Sequence, residues 1–301
     1  MLTLSDRSSV AARTDDSIGA GPTQQELKAI FTAKHGDLDK TGWMPRLWHA
    51  IGYFSPDDYY EATVAKLVFP ACSWLDVGCG RSVFPGNDGL AFRLASRCGY
   101  LLGADPDKTI AENTQVHERS QSTIELLRTD RKFDLITLRM VAEHIEDPES
   151  AVAALARLAK PGALVVILTV NRWSPVAVAA KVVPHGLHHS IKRWLWATEE
   201  KDTFRVSYRM NTRGRLRRLL IAGGFRERAF SYVDDCRSLY RFRWLHRCEL
   251  SVRRLFRLVG LPYPENCLLG VYERLEPDRD AKSSSAPPNM AVCQHGSAAE
   301  A

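Results

Sequence analysis

The sequence predicts an α/β protein built on a doubly wound parallel sheet, and three observations carry that prediction. Between residues 72 and 170, short runs of continuous apolar residues recur, each of a length suited to a strand buried on both faces. Segments with apolar residues at helical spacing separate them. The first run leads straight into a glycine turn, Gly78-Cys79-Gly80, at the strand end where a sheet of this kind binds its ligand.

Each element can be justified in order. A helix is expected near 24–34 and another over about 57–68, where Ser55 ahead of Pro56 and two aspartates makes an N-cap. The strand at 72–77 follows, then an amphipathic helix at 89–97 and strands at 100–104 and 133–138. Val152, Leu155 and Leu158 mark the inner side of a helix over 148–159, and Pro161-Gly162 breaks the chain before a strand at 163–170. A helix over 212–223 has Leu216, Leu219 and Leu220 inside and Arg213, Arg217 and Arg218 outside. Strands at about 226–233 and 267–274 close the pattern.

The stretch 237–259, between those last two strands, reads as one more helix. At 100° per residue Trp244, Leu245, Cys248, Val252, Leu255, Phe256 and Val259 share a face. Arg243, Arg247, Arg253, Arg254 and Arg257 take the other, with Leu250 the exception. Two readings stand. The apolar face packs on the domain or on a second copy in a homodimer, as the periodicity of any surface helix allows, or it lies at a membrane interface with its arginines on anionic headgroups.

Composition bounds the function. The chain has 301 residues, 45% of them hydrophobic and 25% charged, which excludes wholesale disorder. Its longest apolar run, 163–170, is far short of the roughly 20 residues a bilayer span needs. Residues 1–22 and 277–301 lack periodicity and are expected to be disordered, which leaves 23–276 as one folded domain. No apolar region follows the basic residues of the N-terminus, so no secretory leader is expected. The seven cysteines have no CxxC spacing; they read neither as a disulfide framework nor as a zinc site and fit a reducing cytoplasm. The net charge of +6 is unevenly spread: residues 201–260 hold sixteen basic against five acidic side chains, an excess of +11. Such a segment suits an anionic substrate, a membrane surface or nucleic acid, or is simply a solvated face. No aromatic-basic RNA motif accompanies it, which argues against nucleic acid.

The sharpest motif is Trp74-Leu75-Asp76-Val77-Gly78-Cys79-Gly80. Gly78 and Gly80 permit a tight turn and close approach of backbone to ligand. The residue that would complete GxGxxG is Val83, so the dinucleotide fingerprint fails at its third glycine. The next strand ends in Gly103-Ala104-Asp105-Pro106, which puts a carboxylate where two ribose hydroxyls could bond to it; the alternative for Asp105 is a helix cap. Cys79 reads as the small residue needed between two glycines, not as a nucleophile.

With these motifs in order, the chain resembles the class I S-adenosylmethionine-dependent methyltransferases, of the ubiquinone-biosynthesis-like small-molecule type, over about residues 43–275. LDVGCG resembles their first motif, GADPD the second, FDLITLRMVAEHIEDP the fourth-strand region and LAKPGALVVILTVNRWSP the helix and strand that follow. The resemblance implies a mostly parallel seven-stranded sheet with helical additions before the first strand and after the fifth and sixth. It divides the domain into a cofactor half at about 70–170 and a substrate half at about 171–276. S-adenosylmethionine is the implied cofactor, with Gly78 and Gly80 along its methionine part, Asp105 on the ribose, Pro106 against the adenine and Asp76 anchoring the loop and reaching the amino group. Two departures stand out. The stretch RSVFPGNDG after the glycines is longer than the usual turn, and residues 118–129 replace the usual acidic adenine contact, leaving Ser122 as the candidate there.

His144, in Glu143-His144 after the fourth strand, is the candidate general base, since an imidazole can take a hydroxyl proton near neutral pH. The pair could equally cap or orient its loop. Some family members bind a divalent ion through such a pair and a glutamate three residues before it; that position here is Met140, so no metal is expected. Trp173, Trp194, Trp196, Tyr208 and Arg209 fall where the family builds its substrate lid. The histidine-rich stretch at 184–189 reads as a loop or cap. The expected activity is methyl transfer to an oxygen, or less readily a nitrogen or carbon, of a small or lipid-linked acceptor. A binding module without turnover and a nucleic-acid methyltransferase are the rivals.

Overall fold

The computed structural model describes residues 21–175, 178, 206–237, 239–261, 263 and 265–276. The expectations for 1–20 and 277–301, for the stretch 184–189 and for Trp194 and Trp196 lie outside the described residues.

Seven strands, β1 (Ser73–Val77), β2 (Tyr100–Ala104), β3 (Glu118–Ser120), β4 (Phe133–Arg139), β5 (Ala159–Val170), β6 (Phe225–Val233) and β7 (Cys267–Arg274), form one sheet in the order β3-β2-β1-β4-β5-β7-β6. The first five are parallel and β7 runs antiparallel to both β5 and β6. The strand order reverses between β1 and β4, so the crevice for a ligand opens at their carboxyl ends.

Seven helices accompany the sheet among the described residues: α1 (Gln24–His35), α2 (Trp43–Ile51), α3 (Pro56–Leu67), α4 (Asp88–Arg97), α5 (Pro148–Leu158), α6 (Arg213–Ala222) and α7 (Arg243–Leu258). None is long and apolar enough to cross a membrane. Strand alternation explains why both sheet faces are covered. Trp74, Leu135, Leu164, Val166 and Leu168 join a core cluster with α1, α3 and α4. Their neighbours Leu75, Ile136, Val165 and Ile167 join a second cluster with α5 and α6, into which Leu216, Leu219 and Leu220 point as expected. Helix starts follow the caps: Ser55 forms a capping box with Asp58 at α3, and Thr23 does so with Glu26 at α1.

The structure departs from the sequence expectation in four places. Helix α2, closed by Gly52 in the left-handed region, was not foreseen, nor was the three-residue β3. Strand β5 begins at Ala159 rather than at 163, because Pro161-Gly162 is absorbed as an irregularity in its pairing with β4 and does not end the strand. Helix α7 is turned the other way. Its buried residues are His246, Leu250 and Arg253, while Trp244, Val252, Leu255 and Val259 face outward. Specific polar contacts decide this. Trp48 Nε1 donates to His246 Nε2 at 2.7 Å, and Arg253 pairs with Asp234 and lies over the Tyr53 ring at 4.9 Å.

Candidate active site

The glycine turn is held from three sides. Gly78 has φ +71°, and its N–H donates to the Ala104 carbonyl at 2.7 Å. A Cβ there would lie 2.1 Å from Val141 Cγ2, so the loop after β4 sits directly on this glycine. Gly80, at φ +45°, donates its N–H to Asp105 Oδ2 at 2.9 Å. The other oxygen, Oδ1, accepts the Asp107 N–H at 2.7 Å. Asp105 thus ties the β1 turn to the β2 turn, and a carboxylate with about four acceptor sites still has room for hydroxyl donors. The helix cap is a different residue: Asp107 caps the short 3-10 helix Lys108–Glu112 through the Thr109 N–H at 2.8 Å.

Asp76 lies beneath the turn, buried, with Oδ1 accepting from Thr137 Oγ1 at 2.6 Å. Burial pushes its carboxyl up to about 7, against the opposing pull of the Thr137 bond and of Arg139. Cys79 is buried between the glycines with Sγ packed beside Gly103, and burial raises its thiol far above the ordinary range, which makes it inert. The long stretch after the turn is used for packing. Val83 and Phe84 enter the core, the Val83 N–H donates to Gln115 Oε1 at 2.8 Å, and Asn87 both caps α4 and donates to Glu61 at 2.6 Å.

A cavity of about 630 Å³ opens at the carboxyl ends of β1, β2 and β4, and Gly78, Pro106, Ser122, Val141 and His144 line it. Four of the seven residues singled out from the sequence therefore share one cavity. Gly80 and Asp105 are bonded to each other beside it, and Asp76 is buried below. Glu143, next to His144, has a structural task. Its carboxylate accepts from Thr169 Oγ1 at 2.7 Å, and its carbonyl accepts the N–H groups of Ser207 and Tyr208 at 2.7 and 3.2 Å. The loop that carries His144 is thereby fixed to β5 and to the segment before α6. Burial raises the Glu143 carboxyl. Met140 points elsewhere, and no group of three His, Cys, Asp or Glu that could hold a metal occurs among the described residues.

Met140 faces a second cavity of about 610 Å³, which the sequence reading missed, bounded by α1, α2, the start of α3 and the turn after β6. Met44, Trp48 and Tyr240 give it apolar walls; Lys34, Asp57 and Arg237 give it charge. Arg237 binds Asp57 at 2.6 Å and both oxygens of Asp235 at 2.8 and 2.9 Å, and Arg139 reaches Asp57 at 3.3 Å. Burial alone would raise Asp57, but Arg237, Arg139 and Lys34 outweigh it and hold the carboxyl below its usual range. Asp57 stands 82 residues from Arg139 and 180 from Arg237 along the chain, so no local spacing announces those pairs.

The donor set fits the cofactor that the sequence motifs imply. A backbone turn in the left-handed region lies beside the cavity, with a carboxylate next to it and a second, buried carboxylate that has no ion pair among the described residues. Comparison with known proteins agrees. Residues 43–227 match the methyltransferase domain family. The chain is 33% identical over 140 residues to a ubiquinone biosynthesis O-methyltransferase of Klebsiella pneumoniae, covering 42% of this chain and 56% of that protein. It is 30% identical over 168 residues to the protein of that name from Hahella chejuensis, covering 48% and 67%. The match thus spans little more than half the length of the Klebsiella relative. Among solved structures it is similar to the N-methyltransferase NodS of Bradyrhizobium japonicum, with a TM-score of 0.45 and 14% identity over 73% of this chain and 97% of that one. With more than half of its residues in the family match, the chain belongs to the methyltransferase domain family, and its motifs and strand order are similar to those of the class I S-adenosylmethionine-dependent members.

Proposed function

We propose that the protein transfers a methyl group from S-adenosylmethionine to an oxygen of a small or lipid-linked acceptor, working in the cytoplasm or peripherally on a membrane. The observation that carries this is the shared cavity: Gly78, Pro106 and Ser122, read as cofactor contacts, line the same space as His144, read as the base. The names of the relatives support oxygen over nitrogen or carbon. The cofactor, when bound, supplies an activated methyl on a sulfonium.

The chain's own residues do the rest. Gly78 and Gly80 bring backbone against the methionine part, Asp105 accepts from the ribose hydroxyls, Pro106 and Ser122 border the adenine, and Asp76 meets the amino group. His144 Nδ1 or Nε2 takes the acceptor's hydroxyl proton and passes it to water. Glu143 keeps the imidazole on a rigid loop. Holding two reactants in line with water excluded is worth roughly 7 to 11 kcal/mol in effective molarity, and a positioned base adds roughly 10²- to 10⁴-fold. The acceptor's hydroxyl meets His144 in the shared cavity, and the cavity behind Met140 offers the apolar walls of Met44, Trp48 and Tyr240 to the rest of its ring or chain.

Incubation of the full chain with labelled S-adenosylmethionine and a panel of phenols and catechols, some carrying a prenyl chain, tests the reading. Label transfer to a phenolic oxygen is the expected result. Cofactor binding by calorimetry with no transfer to any acceptor would leave the binding-module reading, and transfer only to RNA would overturn the acceptor class.

A further inference from the structure

Helix α7 joins the domain by its polar side and leaves its apolar side uncovered among the described residues. Trp244 is 68% exposed, Val252 46%, Leu255 57% and Val259 58%, and all four lie within one arc of the helix surface. Leu258, the last residue of the helix, and Leu261 beyond it extend the patch. Leu245 and Phe256, which the sequence pattern placed on the same face, are half-buried at its border with the domain. On the opposite border stand Arg243, Arg247, Arg254 and Arg257, all exposed, and none of the four has an ion pair among the described residues. A folded domain gains nothing by holding a tryptophan and three aliphatic side chains in water beside four exposed guanidinium groups, one of which, Arg243, lies over the Trp43 ring at 4.9 Å.

We propose that this side of α7 docks on an anionic membrane surface, the apolar arc entering the headgroup boundary and the arginine row meeting lipid phosphates. Charge complementarity selects this occupant. In a two-fold dimer the same patch would face its own copy, and each arginine row would stand near the other within a segment already carrying an excess of +11. An anionic leaflet attracts that charge. Long arginine stems can reach headgroups from the flank while the helix core sits deeper.

The orientation has a consequence for the site. The inner side of α7 bonds to Trp48 through His246, and Trp48 and Tyr240 both line the cavity behind Met140. Docking by the outer side brings that cavity close to the bilayer, where an acceptor on a lipid chain could reach it. The access of a lipid-linked acceptor rests on the methyl-transfer reading; the docking itself does not.

Co-sedimentation of the full chain with phosphatidylcholine vesicles, and with vesicles holding about 30 mol% phosphatidylglycerol, tests the proposal. Expected is binding to the anionic vesicles at low ionic strength, weakened at least about tenfold in ~0.5 M salt. The pair Trp244→Glu and Leu255→Glu should abolish it, and Arg247→Ala with Arg254→Ala should remove the preference for anionic lipid. These side chains are exposed, so unchanged binding of S-adenosylhomocysteine confirms that the variants fold and keeps the docking result separate from the cofactor assignment. Equal binding to neutral vesicles, no binding at low salt, or binding unaffected by the glutamate pair would overturn the proposal. So would a dimer, seen by sedimentation velocity, that the glutamate pair dissociates while neither vesicle is bound, since a second copy would then cover the face.

Discussion

Replacing Asp76 with asparagine isolates the cost of the charge beneath the glycine turn. The carboxyl is buried, accepts the Thr137 hydroxyl, has no ion pair among the described residues and is pushed up from 3.8 to about 7. Between those values the folded chain holds a proton that the unfolded chain has released. By linkage, the stabilisation from the neutral form is complete below about pH 4 and is lost as pH rises to about 7. Three units at 1.36 kcal/mol each set the scale at about 4 kcal/mol, trimmed in practice by water entry and relaxation.

Asparagine still accepts from Thr137 but cannot ionise. Urea denaturation of the cofactor-free protein at a series of pH values should therefore show wild type and Asp76→Asn coincident near pH 4. At pH 8 the variant should be more stable by about 1 to 4 kcal/mol. Cofactor binding should move the other way. If the amino group of the methionine part meets this carboxylate, wild-type affinity climbs with pH through 7, whereas the variant stays flat and weaker by about 1.5 to 3 kcal/mol, the worth of a charge-assisted bond. A stability difference that does not vary with pH, or a variant less stable than wild type at pH 8, would refute the reasoning.

Other residues of the site give sharper single outcomes. Gly78→Ala forces a Cβ onto Val141 Cγ2 in a left-handed backbone and should cost about 2 kcal/mol or more with loss of cofactor binding; adding Val141→Ala should restore part of both, read by thermal melting and calorimetry. Asp105→Ala removes the acceptor of two loop N–H groups as well as the ribose contact, so cofactor affinity should fall by about 1.5 to 3 kcal/mol, and a loss under about 0.5 kcal/mol would reduce Asp105 to a loop tie. His144→Ala should lower kcat by about 10²-fold or more with little change in cofactor affinity. Wild-type turnover should survive a chelator, and its disappearance with recovery on adding magnesium would show that Met140 does not preclude a metal site.

What the sequence revealed and what it hid follow from the range of the interactions. Strand and helix positions were legible because burial repeats locally: β7 falls where the apolar run places it, and α6 turns Leu216, Leu219 and Leu220 inward as its spacing requires. The glycine turn was legible because two glycines with positive φ cannot be replaced cheaply. Helix α2 was not, because it is short and its reason to exist is Trp48 reaching His246 almost 200 residues later. Nor was the cavity behind Met140, which is assembled from Lys34, Asp57 and Arg237 on three separate segments. The Asp105 question resolves only in three dimensions: the cap lies two residues on at Asp107, and the carboxylate of Asp105 instead joins two turns.

Helix α7 shows why periodicity alone cannot orient a helix. The pattern establishes that one side is apolar and another is basic, and the usual inference buries the apolar side. Here the domain offers α7 a surface that is polar where it matters: an indole N–H from Trp48, the carboxylate of Asp234 and the ring face of Tyr53. Arg253 satisfies the last two at once. Asp234 holds the guanidinium protonated although burial opposes it. Breaking such a buried pair by losing one partner costs about 3 to 5 kcal/mol, more than the burial of one further aliphatic side chain would return. The helix is therefore locked by Arg253 and His246, with Leu250 packed between them, and the apolar side is left over by geometry. Its exposure among the described residues follows from which groups needed partners, not from any preference of Trp244, Val252 or Leu255 for water.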